Sequence, residues 1–243
     1  MKLKAIMAAG AAALAMGSAG ASAATFSGNV AVATDYVFRG VSQTQERPAI
    51  QGGFDAAFDS GFFAGIWASN VDFDTDASAE MDYYGGYSGS FGCSSCSYKV
   101  GYYYYDYPGD PQLDYQELAA SVTYGGLTVG LNYSWEYFGE GTTDAIGDEV
   151  EYFYPYANYT YALPFWDMSL ALHVGQNLMS DDGVFEPDED QYTDWSVGLS
   201  RTFTEIGDIT LGLTYYDTTI DDLYGVDADE ADARVVFAAS KAL

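Results

Sequence analysis

The stretch from Leu127 to Tyr137, LTVGLNYSWEY, alternates strictly between two kinds of residue. Leu127, Val129, Leu131, Tyr133, Trp135 and Tyr137 are apolar or aromatic, whereas Thr128, Gly130, Asn132, Ser134 and Glu136 are small or polar. A period of two belongs to a β-strand with one greasy and one polar face, and the length matches the ~9–11 residues that a tilted strand needs to cross a bilayer. The same alternation recurs along the chain. It predicts twelve strands, at 26–39, 49–59, 63–71, 81–91, 97–106, 115–124, 127–137, 150–162, 168–176, 192–202, 209–216 and 233–241. The eighth is the weakest, because repeated Tyr and Pro155 blur its phase.

The connections alternate in length. Short ones fall at 59–61, 92–97, 125–126, 163–167 and 203–208, and long ones at 40–48, 72–80, 107–114, 138–149, 177–191 and 217–232. An all-β, antiparallel up-and-down transmembrane β-barrel of about twelve strands predicts this rhythm, with short periplasmic turns, long acidic outer loops and both termini in the periplasm. A soluble sandwich does not. The barrel is expected to occupy residues 24–243 as one domain. Residues 1–23 read as a signal peptide: Lys2 and Lys4 precede an apolar run from Ala5 to Met16, and Ala21-Ser22-Ala23 supplies a cleavage site.

Charge narrows the partners. The chain carries 8 Lys and Arg against 36 Asp and Glu, a formal net charge of −28, so nucleic acid is excluded and cations are the natural company. Aromatic residues make up 17% while Lys is scarce, which implies that much of the surface does not face water. Most of the acids fall in the long loops, as in Asp181-Asp182, Glu186 to Asp190, and Asp227 to Asp232. These runs read as solvated segments, and they lack the spacing of an EF-hand. Divalent ions that bridge them to lipopolysaccharide phosphates are a middle case.

The segment DYVFRGVSQTQERPAIQGGFDAAFDSGFFAGIWASNVDF, residues 35–73, resembles the TorF-type porin family of proteobacterial outer-membrane proteins, also catalogued as a Gcw-type family of undetermined function. The resemblance resumes at Tyr102 to Gly109, Tyr192 to Ser200, Tyr215 to Thr218, Val235 to Phe237 and Ser240-Lys241. It implies a small barrel and a pore in the outer membrane, and it brings no catalytic or ligand residues. Members close on an aromatic residue, whereas this chain reads Lys241-Ala242-Leu243.

Few residues point to chemistry. Cys93 and Cys96 lie in a short turn that the topology places in the oxidising periplasm, where a disulfide across a very small loop is the first reading. A redox C-x-x-C needs a βαβ setting, and zinc needs more ligands than two Cys and one distant His. His173, the only histidine, lies on the small polar face of its strand. No nucleophile-elbow motif accompanies it, so no enzyme and no cofactor are expected, and a hydrolase is the least favoured alternative.

The polar faces together collect Asp35, Arg39, Asp55, Asp82, Glu117, Asn132, Glu136, His173, Asp194 and Arg234. A charge facing lipid at mid-membrane costs ~2–4 kcal/mol, so these residues are expected to line the interior. Arg39 and Arg234 on neighbouring first and last strands could oppose Asp35, Glu136 and Asp194 across a constriction. They could equally pair to satisfy one another in a narrow barrel. The expectation is a channel for passive diffusion of small solutes that prefers cations, in contact with outer-membrane lipid and lipopolysaccharide. A plugged structural or adhesive barrel is the alternative, and the oligomeric state stays open.

Overall fold

A strand that separates lipid from a lumen must alternate, and all its backbone groups are paired only if the sheet has no edge. The computed structural model, which describes residues 24–186, 188–221 and 228–243, meets both demands. Its strands are β1 (Ala24–Ala33), β2 (Val37–Phe38), β3 (Val41–Ser42), β4 (Ala49–Phe58), β5 (Phe62–Asn70), β6 (Ala79–Ser90) and β7 (Cys96–Asp106). They continue as β8 (Tyr115–Tyr124), β9 (Leu127–Ser134), β10 (Tyr152–Ala162), β11 (Met168–Met179), β12 (Gln191–Phe203), β13 (Ile209–Thr218) and β14 (Arg234–Ala242). Twelve of these form a closed antiparallel barrel in which β1 pairs with both β4 and β14. The signal-peptide reading at 1–23 and Asp227 of the last acidic run lie outside the described residues.

Every predicted segment becomes a barrel strand, and the short and long connections gather at opposite ends. Alternation sets the two faces: along β4, Ile50, Phe54 and Phe58 are exposed on the outside, and Ala49, Gln51, Asp55 and Ala57 are buried. The outer surface carries Val30, Leu118, Val129, Leu172, Val197, Leu213 and Phe237 in the same way. Bare aliphatic area on this scale suits lipid rather than water. Phe58, Phe62, Tyr124, Tyr161 and Trp166 ring the short-turn end, where an aromatic belt belongs.

Three local expectations need correction. The first strand does not run to residue 39. β1 stops at Ala33, opposite Ala49, and the chain turns inward as the small hairpin β2–β3. Its two-residue turn is Arg39-Gly40, with φ of 48° and 87°, the paired positive angles of a turn that matches strand twist. Alternation from Leu127 to Tyr137 puts Tyr133, Trp135 and Tyr137 toward an outer aromatic belt, but the strand ends at Ser134, and Tyr137 leaves the wall and is buried inside; a helix, α1 (Gly139–Ile146), follows in the same loop. Alternation through Phe63, Gly65, Trp67 and Val71 reads as the apolar outer face of the third strand, but in β5 Phe63 and Trp67 point inward while Phe62 and Ala64 face out.

The weak eighth segment is a regular strand. In β10, Tyr152 and Tyr154 are buried and Phe153 is exposed, so the phase holds. The ladder to β11 passes from Phe153–Leu178 to Tyr156–Gly175 and skips Tyr154 and Pro155. Proline has no N–H to donate, and the gap sits where that donor is missing.

Candidate functional site in the barrel lumen

The residues between β1 and β4 fold back into the barrel because their own side chains fasten them there. Asp35 accepts hydrogen bonds from Ser42 Oγ at 2.7 Å and Thr44 Oγ1 at 2.9 Å, which closes the base of the hairpin. Arg234, the first residue of β14, reaches Asp35 Oδ2 at 3.1 Å and Glu46 at 3.3 Å. Tyr36 donates to Glu80 of β6 at 2.9 Å and packs edge-on to Trp67. Burial, with Glu80 beside it, pushes the Tyr36 phenol well above the usual tyrosine range, so it stays a donor.

At the hairpin tip, Arg39 enters the lumen. Its Nη1 lies 2.7 Å from Glu117 Oε1 and its Nη2 donates to Oε2 at 2.8 Å, a two-pronged pair with Glu117 0% exposed. The guanidinium also rests on the rings of Phe38, Tyr152 and Tyr154 at 4.4–4.8 Å. Glu117 is further held by Asn132 Nδ2 at 2.8 Å and the Tyr105 hydroxyl at 3.1 Å. Around this pair lies a layer of tyrosines. Tyr105 stacks on Tyr115 at 4.4 Å and Tyr137 on Tyr152 at 4.0 Å, while the Tyr192 hydroxyl donates to the Arg39 carbonyl at 3.1 Å. The hairpin and these rings pack the long-loop half of the lumen.

A second network continues from Tyr154 onto β11 and β12. His173 Nε2 is 2.9 Å from Asp194 Oδ1, and its Nδ1 is 2.6 Å from Asn158 Oδ1. Asp194 also accepts from Asn177 Nδ2 at 2.8 Å and from the Tyr154 hydroxyl. Tyr154 has room because Gly175, the ladder partner of Tyr156, carries no side chain: a Cβ there would strike the Tyr154 phenol oxygen. With both ring nitrogens engaged, His173 is a structural member of this wall.

The lumen therefore holds most of the sequence-predicted residues, but not as facing walls of opposite charge. Asp55, Asp82, Glu117, Asn132, His173 and Asp194 point inward from their strands; Asp55 accepts from the Tyr84 hydroxyl at 2.7 Å, and Asp82 Oδ1 is buried with no hydrogen-bond partner. Asp35 and Arg39 are inside on the hairpin instead of on a strand, and Glu136 stays in the loop after β9. Pairing replaces opposition: Arg39 meets Glu117, and Arg234 meets Asp35. Sequence reasoning missed Glu80, Lys99, Asn177 and the buried tyrosines. Parity was the available signal for Glu80, Lys99 and Asn177, each of which sits between outward-facing neighbours.

The short-turn half of the lumen differs. Many of its inward residues are small and hydroxylated, among them Ser121, Thr123, Thr128, Ser196 and Ser200, each partly exposed. Cys93 and Cys96 are joined across the β6–β7 turn at this end, with Cα atoms 5.2 Å apart. On the opposite rim, Ser180, Asp181, Asp182, Asp188 and Asp190 line a hollow of about 370 Å³. No group of three or more His, Cys, Asp or Glu side chains suited to a metal ion occurs among the described residues.

Comparison with known proteins places the architecture. The chain is similar to the NanC porin in its rhombohedral crystal form, at 11% identity and a TM-score of 0.54, over 88% of this chain and 97% of that one. That likeness shows the fold. Pseudomonas aeruginosa OprD (13% identity, TM-score 0.40, 91% of this chain and 66% of that one) is a more distant likeness. So is opdK from the same organism (11%, 0.42, 81% and 57%). No curated protein matches the chain. The family described as bacterial proteins of unknown function (Gcw_chp) matches residues 17–242, nearly the whole length, and the chain belongs to that family.

Proposed function

We propose that this protein is a porin-like channel of the Gram-negative outer membrane, not an enzyme, through which small solutes diffuse passively. The observation that carries the reading is the closed twelve-stranded barrel with an aliphatic exterior and a charged, hydroxyl-lined interior. The resemblance to TorF-type porins over residues 35–73 supports it. The inward hairpin then restricts the bore at the long-loop end. An excess of 36 acids over 8 basic residues favours cations, because the summed field of the loops concentrates them at that mouth. The same loops are suited to divalent ions shared with lipopolysaccharide phosphates.

Planar-bilayer recording with ion substitution tests the reading. Small conductance steps with potassium favoured over chloride are expected. Steps that favour chloride would overturn the charge preference. The packed hairpin and tyrosine layer favour a second reading, a plugged barrel that serves the envelope structurally; it predicts no steps from the intact chain in any salt.

A further inference from the structure

Among the cations that enter the barrel, one lacks a counter-charge. Arg39 has Glu117 and Arg234 has Asp35, but Lys99 makes no ion pair with any described residue. It projects inward from β7, partly exposed, in the hydroxylated half of the lumen. Its Nζ sits 4.4 Å above the Phe63 ring and 5.6 Å from that of Tyr103, which fixes the ammonium on one side only. Phe63 is itself wedged against the wall: a Cβ on Gly86 would lie 2.8 Å from its ring. Asp55 acts on Lys99 from beyond pairing distance, and one of its oxygens is already taken by Tyr84.

The register sets a serine on either side of Lys99, and the Ser88 hydroxyl has one long bond, to the Gly61 carbonyl at 3.5 Å. Lys99 is directly opposite Ser88 of β6 and Ser121 of β8, whose side chains share its inward face. An ammonium held on aromatic faces, beside hydroxyls and with no protein carboxylate, is the complement of a small anion that can accept several hydrogen bonds. A partly desolvated charge is costly unless it is paired, and here the carboxylate that acts on it, Asp55, stays beyond pairing distance.

We propose that the short-turn half of the lumen is a vestibule that binds a small carboxylate-bearing solute, with the carboxylate on Lys99 Nζ and on the hydroxyls of Ser88 and Ser121. This names a solute class for the channel and rests on that reading only for the route by which the solute leaves. Acidic loops at one end and an unpaired ammonium deep in the other then act on different parts of a solute.

Beyond residue 4 the only lysines are Lys99 and Lys241, so few labels need assignment. In the full chain refolded in detergent, reductive methylation with ¹³C labels Lys99 and Lys241 together with Lys2, Lys4 and the α-amine, and the Lys99 and Lys241 resonances are assigned with Lys99→Gln and Lys241→Gln. Sodium propionate is titrated at constant ionic strength against sodium chloride and propylammonium chloride. The Lys99 resonance is expected to move saturably with propionate alone while Lys241 stays still, and Ser121→Ala should weaken the apparent affinity by about two- to tenfold, the worth of one hydrogen bond. An unmoved Lys99 signal, equal movement with chloride, parallel movement of Lys241, or a Lys99 that cannot be methylated would each overturn the site. Because binding is read at equilibrium, a silent bilayer with the Lys99 shift intact would sink conduction and leave the site standing.

Discussion

Arg39 and Glu117 concentrate the energetics of the lumen at two side chains. Both are almost fully buried, at 5% and 0% side-chain exposure, so each has lost its hydration and depends on the other. Removing one partner of such a pair costs about 3–5 kcal/mol, because the survivor is left charged and unmatched. Glu117→Gln is expected to destabilise the barrel on that scale in urea titrations of the refolded protein, and the double variant with Arg39→Met should recover much of the loss. Additive losses would contradict the pairing. Sequence parity marks Glu117 as inward. It gives no hint of its partner, which lies 78 residues earlier on a segment that leaves the wall.

The hairpin β2–β3 is the element that turns an ordinary barrel into a restricted one. Alternation through Tyr36 and Phe38 continues past the last paired residue of β1, and for that reason a strand to residue 39 is the natural reading of the sequence. What ends the wall is register on the β4 side: Ala33 is opposite Ala49, where β4 begins after Pro48, and on the β14 side one more bond, Thr34 N–H to the Phe237 carbonyl at 2.9 Å, follows the last pair. The local signal for the turn is the Gly after Arg39. At Gly40 the backbone has φ +87°, and a side chain there would also run into Thr218 and Asp194. Gly40→Val is therefore expected to expel the hairpin while the barrel stays closed. Limited proteolysis should then cut between residues 34 and 48 in the variant and spare the wild type; equal protection in both would show that the hairpin is not seated as described. Tyr137 looks like a wall residue for a related reason, since period-two alternation runs on through residues that have already left β9.

At the scale of the whole molecule, strand count, connection rhythm and, outside β5, the two faces are legible in the sequence, because a lipid-facing wall imposes alternation on its strands. The contents of the lumen are less legible. Interior contacts join residues far apart in sequence, and the tyrosines that fill it resemble the tyrosines of an aromatic belt until their parity is known. In the proposed channel, charge and bore act at different places: the acidic loops would govern what gathers at the mouth, and the hairpin with its tyrosine layer what passes.

Replacing residues 36–46 with a short glycine-serine turn separates these effects in one measurement, single-channel conductance in a planar bilayer beside the intact chain. A porin-like barrel narrowed by its own hairpin predicts larger conductance steps after the replacement, with potassium still favoured over chloride. Steps of unchanged size, or silence from both proteins, would contradict it.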